Sequence, residues 1–196
     1  MDKIEYEPIS IRESLVEMKD IAELMIDLAY SAVLFKNRDI AEEVLDLEER
    51  VDRLAYLVAM NAMLAARDAE DAEQLEALLR VASATDKISD AAADIAATVL
   101  KGIEAHPLIL KAIRGSEEPI TKVSIDSKSQ LCKKDLGELS LETEIGVDVI
   151  VIKRGKKWVY DPGEKTKLES GDILFARGSQ TGIKTLSALA SGKEGI

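Results

Sequence analysis

The sequence has few of the residue types that build metal, redox and nucleic-acid sites. Its 196 residues include one cysteine, Cys132, and one histidine, His106, which excludes an intrachain disulfide and a cysteine–histidine zinc site. Aromatic residues make up only 4%, which argues against a stacking surface for single-stranded nucleic acid. The longest mostly apolar stretch, 54–66, contains Asn61 and is too short to span a bilayer. We therefore expect a soluble protein with no nucleic-acid partner and no direct membrane insertion.

Charge and glycine content divide the chain near residue 114. Residues 1–114 carry all of the net charge of −11, and ten of the eleven glycines follow residue 102. An acidic chain of this kind argues against binding to a nucleic-acid backbone. A proline after His106 ends the helical pattern of the first half, and a short segment over 108–114 leads to a linker at 115–119. We therefore expect two domains, 1–114 and 115–196.

The first half predicts three long helices. Apolar residues alternate there at spacings of three and four, the period of a helix with one buried face. The apolar stripes run over 11–32, 40–58 and 75–99. Short polar breaks at 37–39 and 67–69 make neighbouring helices antiparallel, so an antiparallel three-helix bundle follows. The second helix is apolar nearly all round from Leu54 to Ala66, and we expect that end of the bundle to be the most enclosed.

The second half changes to the two-residue period of strands, separated by turn residues. The predicted strands begin at Ile120 and cover 147–152, 158–160 and 173–176. A short helix is predicted over 131–139 and a closing helix over 181–190. The fold class is therefore α and α+β in two domains, with the bundle followed by a small mixed α/β, sandwich-like domain.

Acidic pairs on the second and third helices are the one pattern that suggests chemistry. Glu48 and Asp52 are four residues apart on one helix, and Asp86, Asp90 and Asp94 repeat that spacing on the next. Carboxylates at this spacing share a helix face and can jointly hold a hard cation. The handedness of the bundle decides whether the two faces converge on one groove or diverge. A plain solvated acidic face stays open as the alternative, because similar pairs recur elsewhere on these helices.

No motif of a common enzyme class is present. The sequence has neither a G-x-G-x-x-G nor a G-x-x-x-x-G-K-[ST] phosphate loop, and no G-x-S-x-G nucleophile turn. Cys132 and His106 lie on opposite sides of the linker, with nothing to orient them as a catalytic pair. A metal-dependent hydrolase built on the acidic helices ranks last among the function classes. The basic turn at 153–157 is typical of a solvated hairpin tip, with anion binding as its alternative. We therefore predict no catalytic residues and no enzyme activity.

The second half also contains an ordered series of motifs. They are a strand with Ile120, Val123 and Ile125, K-D-L-G-E-L at 134–139, G-V-D-V-I-V-I-K-R-G at 146–155, Y-D-P at 160–162 and T-K-L-E-S-G-D-I-L-F-A-R-G at 166–178. Together they resemble the TrkA-C domain, also called RCK_C, of potassium-transport regulators. The resemblance implies a regulatory domain over 115–196.

Two motifs of the first half, L-E-E-R-V-D-R-L at 47–54 and T-D-K-I-S-D-A-A-A-D-I at 85–95, resemble one three-helix repeat of PhoU-like proteins. In that family, E/D-x-x-x-D pairs bind metal clusters on the bundle surface. The resemblance thus implies a divalent or ferric metal on the helical domain, with four candidate ligands, Glu48, Asp52, Asp86 and Asp90. Full PhoU proteins carry two such bundles, so a homodimer of this chain would restore the pair.

Together the resemblances imply a regulator of cation transport. We expect a cytoplasmic, ligand-sensing subunit in potassium ion transmembrane transport that acts through dimerisation and a ligand-linked conformational change. Its partner would be the membrane subunit of a potassium channel or transporter, which would hold it at the inner face of the membrane. The alternative is a PhoU-type phosphate-signalling adaptor with metal-binding acidic helices.

Relatives of the second domain bind small ligands in a groove between two copies. The implied groove residues here are Glu142, Asp148, Arg154 and Pro162. Some relatives bind a cyclic dinucleotide through basic and polar residues at the positions of Glu142 and Asp148. Two carboxylates would repel its phosphates, so we do not expect that ligand. The sequence does not identify the small molecule that binds instead.

Overall fold

The computed structural model describes residues 10–192, which form two compact units. The first unit ends at Glu104 and the second begins at Ala105, ten residues before the boundary predicted from composition. The difference arises because the bundle ends with its third long helix, while the short helix after it groups with the second unit. Within residues 10–192, none of the helices has an apolar run sufficient to cross a membrane.

Three long helices form the first unit: α1 (Ile11–Phe35), α2 (Arg38–Ala65) and α3 (Ala69–Leu100). A polar residue precedes each helix, and its side chain accepts a backbone N–H of the first turn. These caps are Ser10, Asn37 and Asp68. They satisfy N–H groups that have no partner inside the helix. The predicted helices and both predicted breaks are confirmed.

The bundle core combines long side chains on α1 and α2 with small ones on α3. Met18, Met25 and Leu28 of α1 are fully buried. On α3 the buried residues are all small: Ala82, Ser89, Ala92, Ala93 and Ala96. Small side chains allow the backbone of α3 to approach its neighbours closely, so polar residues beside its buried stripe lie near the facing helix.

One end of the bundle is more open than the sequence predicts. Met63 and Leu64 near the end of α2 are 69% and 70% exposed, and Tyr56 is 46% exposed. The Arg50 guanidinium of α2 hydrogen-bonds the Glu17 carboxylate of α1 at 2.7 Å. Arg50 and Glu17 therefore lie at about the same height along these two antiparallel helices. Roughly nine residues of α2, about 14 Å of helix, therefore extend past the first residue of α1. The prediction that this end is the most enclosed is wrong, because α1 does not run beside it.

A short helix, α4 (Pro107–Arg114), opens the second unit. His106 caps it, since its Nδ1 accepts the backbone N–H of Leu108 at 3.2 Å. Proline at the first helical position costs no hydrogen bond, because that N–H has no partner in a helix. No residue of α4 is buried, and Leu108 and Ile109 are 69% and 52% exposed. The predicted segment over 108–114 is therefore a helix, in which only Leu110 and Ile113 are half-buried.

The second unit is built on an antiparallel sheet of four strands, in the order β1-β4-β2-β3. The strands are β1 (Ile120–Ser124), β2 (Val147–Arg154), β3 (Lys157–Tyr160) and β4 (Ile173–Gly178). In register, Leu174 of β4 lies between Val123 of β1 and Ile152 of β2. A register shift between Val149 and Val151 marks a bulge in β2. All four predicted strands are present.

Three helices accompany the sheet: α5 (Leu136–Leu139), α6 (Leu141–Ile145) and α7 (Gln180–Ala190). Of the helix predicted over 131–139, only 136–139 is helical, because Lys133 takes a left-handed φ of 69° and Asp135 forms a β-bridge with Lys167. Ser140, at a φ of 43°, then separates α5 from α6. Gly146, at a φ of 64°, ends α6 and starts the turn into β2. Leu141 of α6 and Leu186 of α7 pack with the buried residues of the sheet in one core.

Candidate functional site

The acidic residues of α2 and α3 converge on one groove of the bundle. Carboxylate oxygens of Glu48, Asp52 and Asp90 lie within 4.8 Å of one another. Asp86 belongs to the same groove, since its carboxyl group lies within hydrogen-bonding reach of the Asp52 carboxyl group, and this contact raises the pKa of Asp86. We call these four residues the acidic groove. The tertiary structure thus decides what the sequence left open, and the two acidic faces meet.

The acidic groove is electrostatically unfavourable when all of its carboxylates are ionised. Burial raises the pKa of Glu48, and the charges of Asp52 and Asp90 raise it further. Burial and the same two charges also raise the pKa of Asp86. A raised carboxyl pKa means that the folded bundle favours the protonated form, so its stability falls as the pH rises through these values.

The residues of the acidic groove fit the metal that the sequence resemblance implies. Carboxylate oxygens are the donors that hard cations prefer, and a cation among them would relieve the repulsion between like charges. Glu48 is half-buried, whereas Asp52 and Asp90 are exposed, so the groove opens to solvent. Such an arrangement can hold an ion that keeps part of its water shell, with Glu48, Asp52, Asp86 and Asp90 as the residues that would bind it.

The second unit contains a cleft of about 210 Å³ where α5 and α6 meet β2. We call it the α6 cleft. Three of the predicted groove residues, Glu142, Asp148 and Pro162, line it. Other lining residues are Leu136, Ser140 and Glu164. The cleft therefore combines apolar surface with three carboxylates.

The charge of the α6 cleft is concentrated around Asp148. Burial raises the pKa of Asp148, and the nearby carboxylates of Glu142 and Asp161 raise it as well. The Arg177 guanidinium lowers the pKa of Asp148, because its Nη2 atom lies 3.9 Å from a carboxylate oxygen of Asp148. A second anion, Glu118, lies 3.7 Å from the same guanidinium. Carboxylates outnumber cationic groups around Asp148, so the α6 cleft favours neutral or cationic ligands over phosphates.

The fourth predicted groove residue, Arg154, is not among the residues that line the α6 cleft. Its guanidinium makes two 2.8 Å bonds to the fully buried carboxylate of Asp172. It also bonds Glu169 at 2.8 Å and the carbonyl oxygen of Lys167 at 2.6 Å. Arg154 therefore ties the β2–β3 hairpin to the turn before β4. Because Lys153 lies over the Trp158 ring at 4.4 Å, the basic turn is not a single cationic cluster.

The residues at the corner between α5 and α6 are not among the groove residues predicted from the sequence. Ser140 and Thr143 line the cleft, and Gly137 lets the backbone of Glu164 approach. A Cβ atom on Gly137 would lie 3.1 Å from the Cβ of Glu164, whose carbonyl oxygen accepts the Gly137 N–H at 2.8 Å. A glycine inside the helical K-D-L-G-E-L pattern was the available signal, because such a residue often marks close backbone contact.

Two family models match the chain, and they agree with the two units. The PhoU domain matches residues 15–99, and the TrkA-C domain matches residues 120–191. The chain is thus a two-domain protein, with a helical bundle followed by an α+β module. In family terms, it consists of a PhoU domain followed by a TrkA-C domain, as the resemblances in the sequence indicate.

Several solved structures are similar to parts of the chain, and no curated protein matches it significantly. The RCK_C domain dimer of Streptococcus agalactiae BusR with c-di-AMP is 20% identical, at a TM-score of 0.37 over 41% of this chain and 100% of that one. The RCK C domain of the potassium transport protein KtrA, also with c-di-AMP, is 26% identical, at a TM-score of 0.34 over 46% and 94%. BusR with its busAB promoter DNA is 11% identical, at a TM-score of 0.37 over 90% and 98%. TM-scores this low decide nothing about the ligands or partners of this chain.

Proposed function

We propose that the protein is a cytoplasmic, ligand-sensing regulatory subunit for potassium ion transport. The match of residues 120–191 to the TrkA-C domain supports this role. The observation that carries the proposal is the α6 cleft, a cavity of about 210 Å³ bounded by short helices and by β2. A small molecule in that cleft would contact both α6 and the central part of the sheet.

The regulatory mechanism we propose is a population shift in a homodimer. A ligand that binds one dimer arrangement more tightly than another favours that arrangement by the difference in binding free energy. The proposed partner, the membrane subunit of a potassium channel or transporter, would respond to this shift between dimer arrangements. The domain limits proposed from the sequence, 1–114 and 115–196, would then separate a helical module from the ligand sensor. No catalytic step is part of this proposal.

The carboxylates of the α6 cleft give the first prediction. We expect the intact chain to bind c-di-AMP weakly or not at all, because Glu142 and Asp148 repel phosphates. The double variant Glu142→Gln/Asp148→Asn should raise the affinity for c-di-AMP by about tenfold, since two like charges are removed. Isothermal titration calorimetry would measure it. Glu144→Gln is the matched control, because Glu144 is exposed on α6 outside the cleft lining.

Partner capture tests the wider role. The intact chain, used as bait on membranes, should retain the membrane subunit of a potassium transporter and not that of a phosphate transporter. Analytical ultracentrifugation should show a dimer. A monomer, or selective retention of a phosphate transporter, would overturn the potassium proposal. Tight binding of c-di-AMP by the unmodified chain would overturn the charge selectivity that we assign to the cleft.

A second candidate function rests on the acidic groove. The approach of Glu48, Asp52 and Asp90 to within 4.8 Å favours a metal-bearing PhoU-type adaptor in phosphate signalling. In that case the metal would belong to the helical domain and the phosphate-signalling partner would contact the bundle. The match of residues 15–99 to the PhoU domain supports this alternative.

Metal binding by the acidic groove is the second prediction. A divalent ion such as Mn²⁺ should raise the melting temperature of the intact chain at pH 7, and less so at pH 4.5, where protons compete for Glu48 and Asp86. Asp90→Asn should abolish the increase. Asp94→Asn, one turn farther along α3 and equally exposed, should retain it. Equal responses from the two variants, measured by differential scanning calorimetry, would mean that the groove is only a solvated acidic surface.

A further inference from the structure

Helix α3 carries a second apolar stripe that the bundle leaves mostly exposed. Its members are alternately four and three residues apart, which is the spacing of helices that pair along a seam. We call these six residues the α3 seam: Ala77, Val81, Ala84, Ile88, Ala91 and Ile95. Val81 and Ile88 are 59% and 46% exposed, and the three alanines are exposed as well. At 1.5 Å per residue, the seam extends over about 27 Å of helix.

The α3 seam is separate from the two faces of α3 described above. At 100° per residue, it lies about a third of a turn from the buried stripe around Ala82, Ala92 and Ala96. Asp86 and Asp90 of the acidic groove lie on the other side of that stripe. A helix on the surface of a bundle needs only one apolar stripe to pack against its neighbours. The α3 seam is therefore available to a further helix.

The order of side chains in the seam fits a second copy of α3 in antiparallel orientation. Residues of the seam alternate between alanine and a β-branched side chain. In a parallel pair each kind would face itself, so that bulky layers would alternate with gaps. In an antiparallel pair each kind faces the other, and the layers have similar volumes. These layers would join Ala84 to Ile88, Ala91 to Val81 and Ala77 to Ile95 across the two copies.

The charged residues along one edge of the seam are complementary in the same arrangement. Glu73, Arg80, Lys87 and Asp94 recur every seven residues beside it, and Lys101 continues the series just after the helix. The register that forms these layers brings Arg80 opposite Asp94, and Glu73 opposite Lys101, of the other copy. A slip of seven residues would instead bring Arg80 opposite Lys87 and Glu73 opposite Asp94. Lys87 faces its own counterpart at the centre, where salt screens exposed charges.

We propose that two copies of this chain associate through the α3 seam, with their α3 helices antiparallel. The inference deepens the proposed function, on which it rests for the role of the dimer, because it gives that dimer a contact surface. Arg80 already pairs with Glu76 of its own helix, and Asp94 of the other copy would add a second carboxylate to this pair. The acidic groove lies on the other side of α3, so its opening would stay accessible in the dimer.

Pulsed electron paramagnetic resonance on the intact chain tests the orientation. In a Cys132→Ser background, spin labels at Lys87→Cys should lie about 10–20 Å apart, because residue 87 is at the centre of the pair. Labels at Glu73→Cys should lie about 40 Å apart, since each is about 21 Å of helix from that centre. Short distances at both positions would indicate parallel helices, and long distances at both would place the contact elsewhere. Either result would overturn the proposal.

Charge reversal tests the register. Arg80→Glu places like charges opposite Asp94, and we expect it to raise the dissociation constant of the α3 contact about tenfold. Arg80→Glu/Asp94→Arg restores opposite charges and should return that constant to within about threefold of the original. Ile88→Lys should weaken the contact by more than about tenfold, because apolar burial is lost. Ser83→Lys, exposed on α3 outside the seam, is the matched control and should change it by less than about twofold.

Analytical ultracentrifugation of the intact chain in metal-free buffer would measure these constants. Equal responses to Ile88→Lys and Ser83→Lys, or a double charge variant no better than Arg80→Glu, would overturn the proposal. Either result would leave the transport role standing, because a dimer still forms. A wholly monomeric chain would overturn both the seam and the proposed dimer. An antiparallel α3 dimer that retains no potassium transporter would overturn only the proposed function.

Discussion

At the scale of single residues, Arg154 shows how one contact decides between a ligand site and a structural role. It is one of four basic residues around the hairpin, and the sequence places it in the ligand groove. In the structure its guanidinium bonds the Asp172 carboxylate, which is completely buried and also accepts the Glu169 N–H at 2.8 Å. A buried carboxylate needs such partners because loss of its hydration is costly.

Arg154→Ala should therefore destabilise the second domain. The substitution leaves Asp172 buried without its cationic partner, and we expect a loss of about 3 kcal/mol in the free energy of unfolding. Urea denaturation followed by tryptophan fluorescence would measure it, since Trp158 lies on the adjacent strand. Lys156→Ala, at an exposed position of the same hairpin, should change stability by less than about 0.5 kcal/mol. Similar losses from both variants would contradict the structural role of the Arg154 pair.

At the scale of elements, the close contact between α6 and α7 requires a glycine at position 182. Gly182 lies in the first turn of α7, where a Cβ atom would sit 2.1 Å from the carbonyl oxygen of Ile145 and 2.8 Å from a methyl group of Val147. The two helices thus meet backbone to backbone. This contact fixes the end of α6, and therefore one wall of the α6 cleft. The glycine is visible in the sequence, but its neighbour across the junction is not.

Gly182→Ala should loosen this junction. Relief of the overlap requires a backbone shift, and we expect a destabilisation of about 2–3 kcal/mol. Thermal unfolding by circular dichroism would report it. Gly163→Ala is the matched control, because a Cβ atom there has no neighbour within 4 Å; its expected change is within about 0.5 kcal/mol. Unchanged stability in Gly182→Ala would show that the junction is more adaptable than the close approach indicates.

At the scale of the whole molecule, the sequence predicts the division into two folds. Apolar residues recur every three or four positions in the first half and every two positions in the second. This change of spacing predicts a helical bundle followed by a mixed domain, and both are confirmed. The composition shift at residue 114 lies ten residues after the division between the two compact units, because α4 is helical by pattern yet groups with the second unit. The open end of α2 was missed for a related reason, since an apolar helix is enclosed only where a neighbour runs beside it.

The sequence by itself determined the helices of the bundle, the four strands, and the residue types available for binding. Those features depend on local spacing and turn chemistry, which act over a few neighbouring residues. Only the tertiary structure decided which of those residues meet. Glu48 and Asp90 converge because of the handedness of the bundle, and Arg154 turns away from the cleft because Asp172 is buried beside it. Contacts between residues distant in sequence depend on packing geometry, and one sequence pattern is compatible with several such geometries.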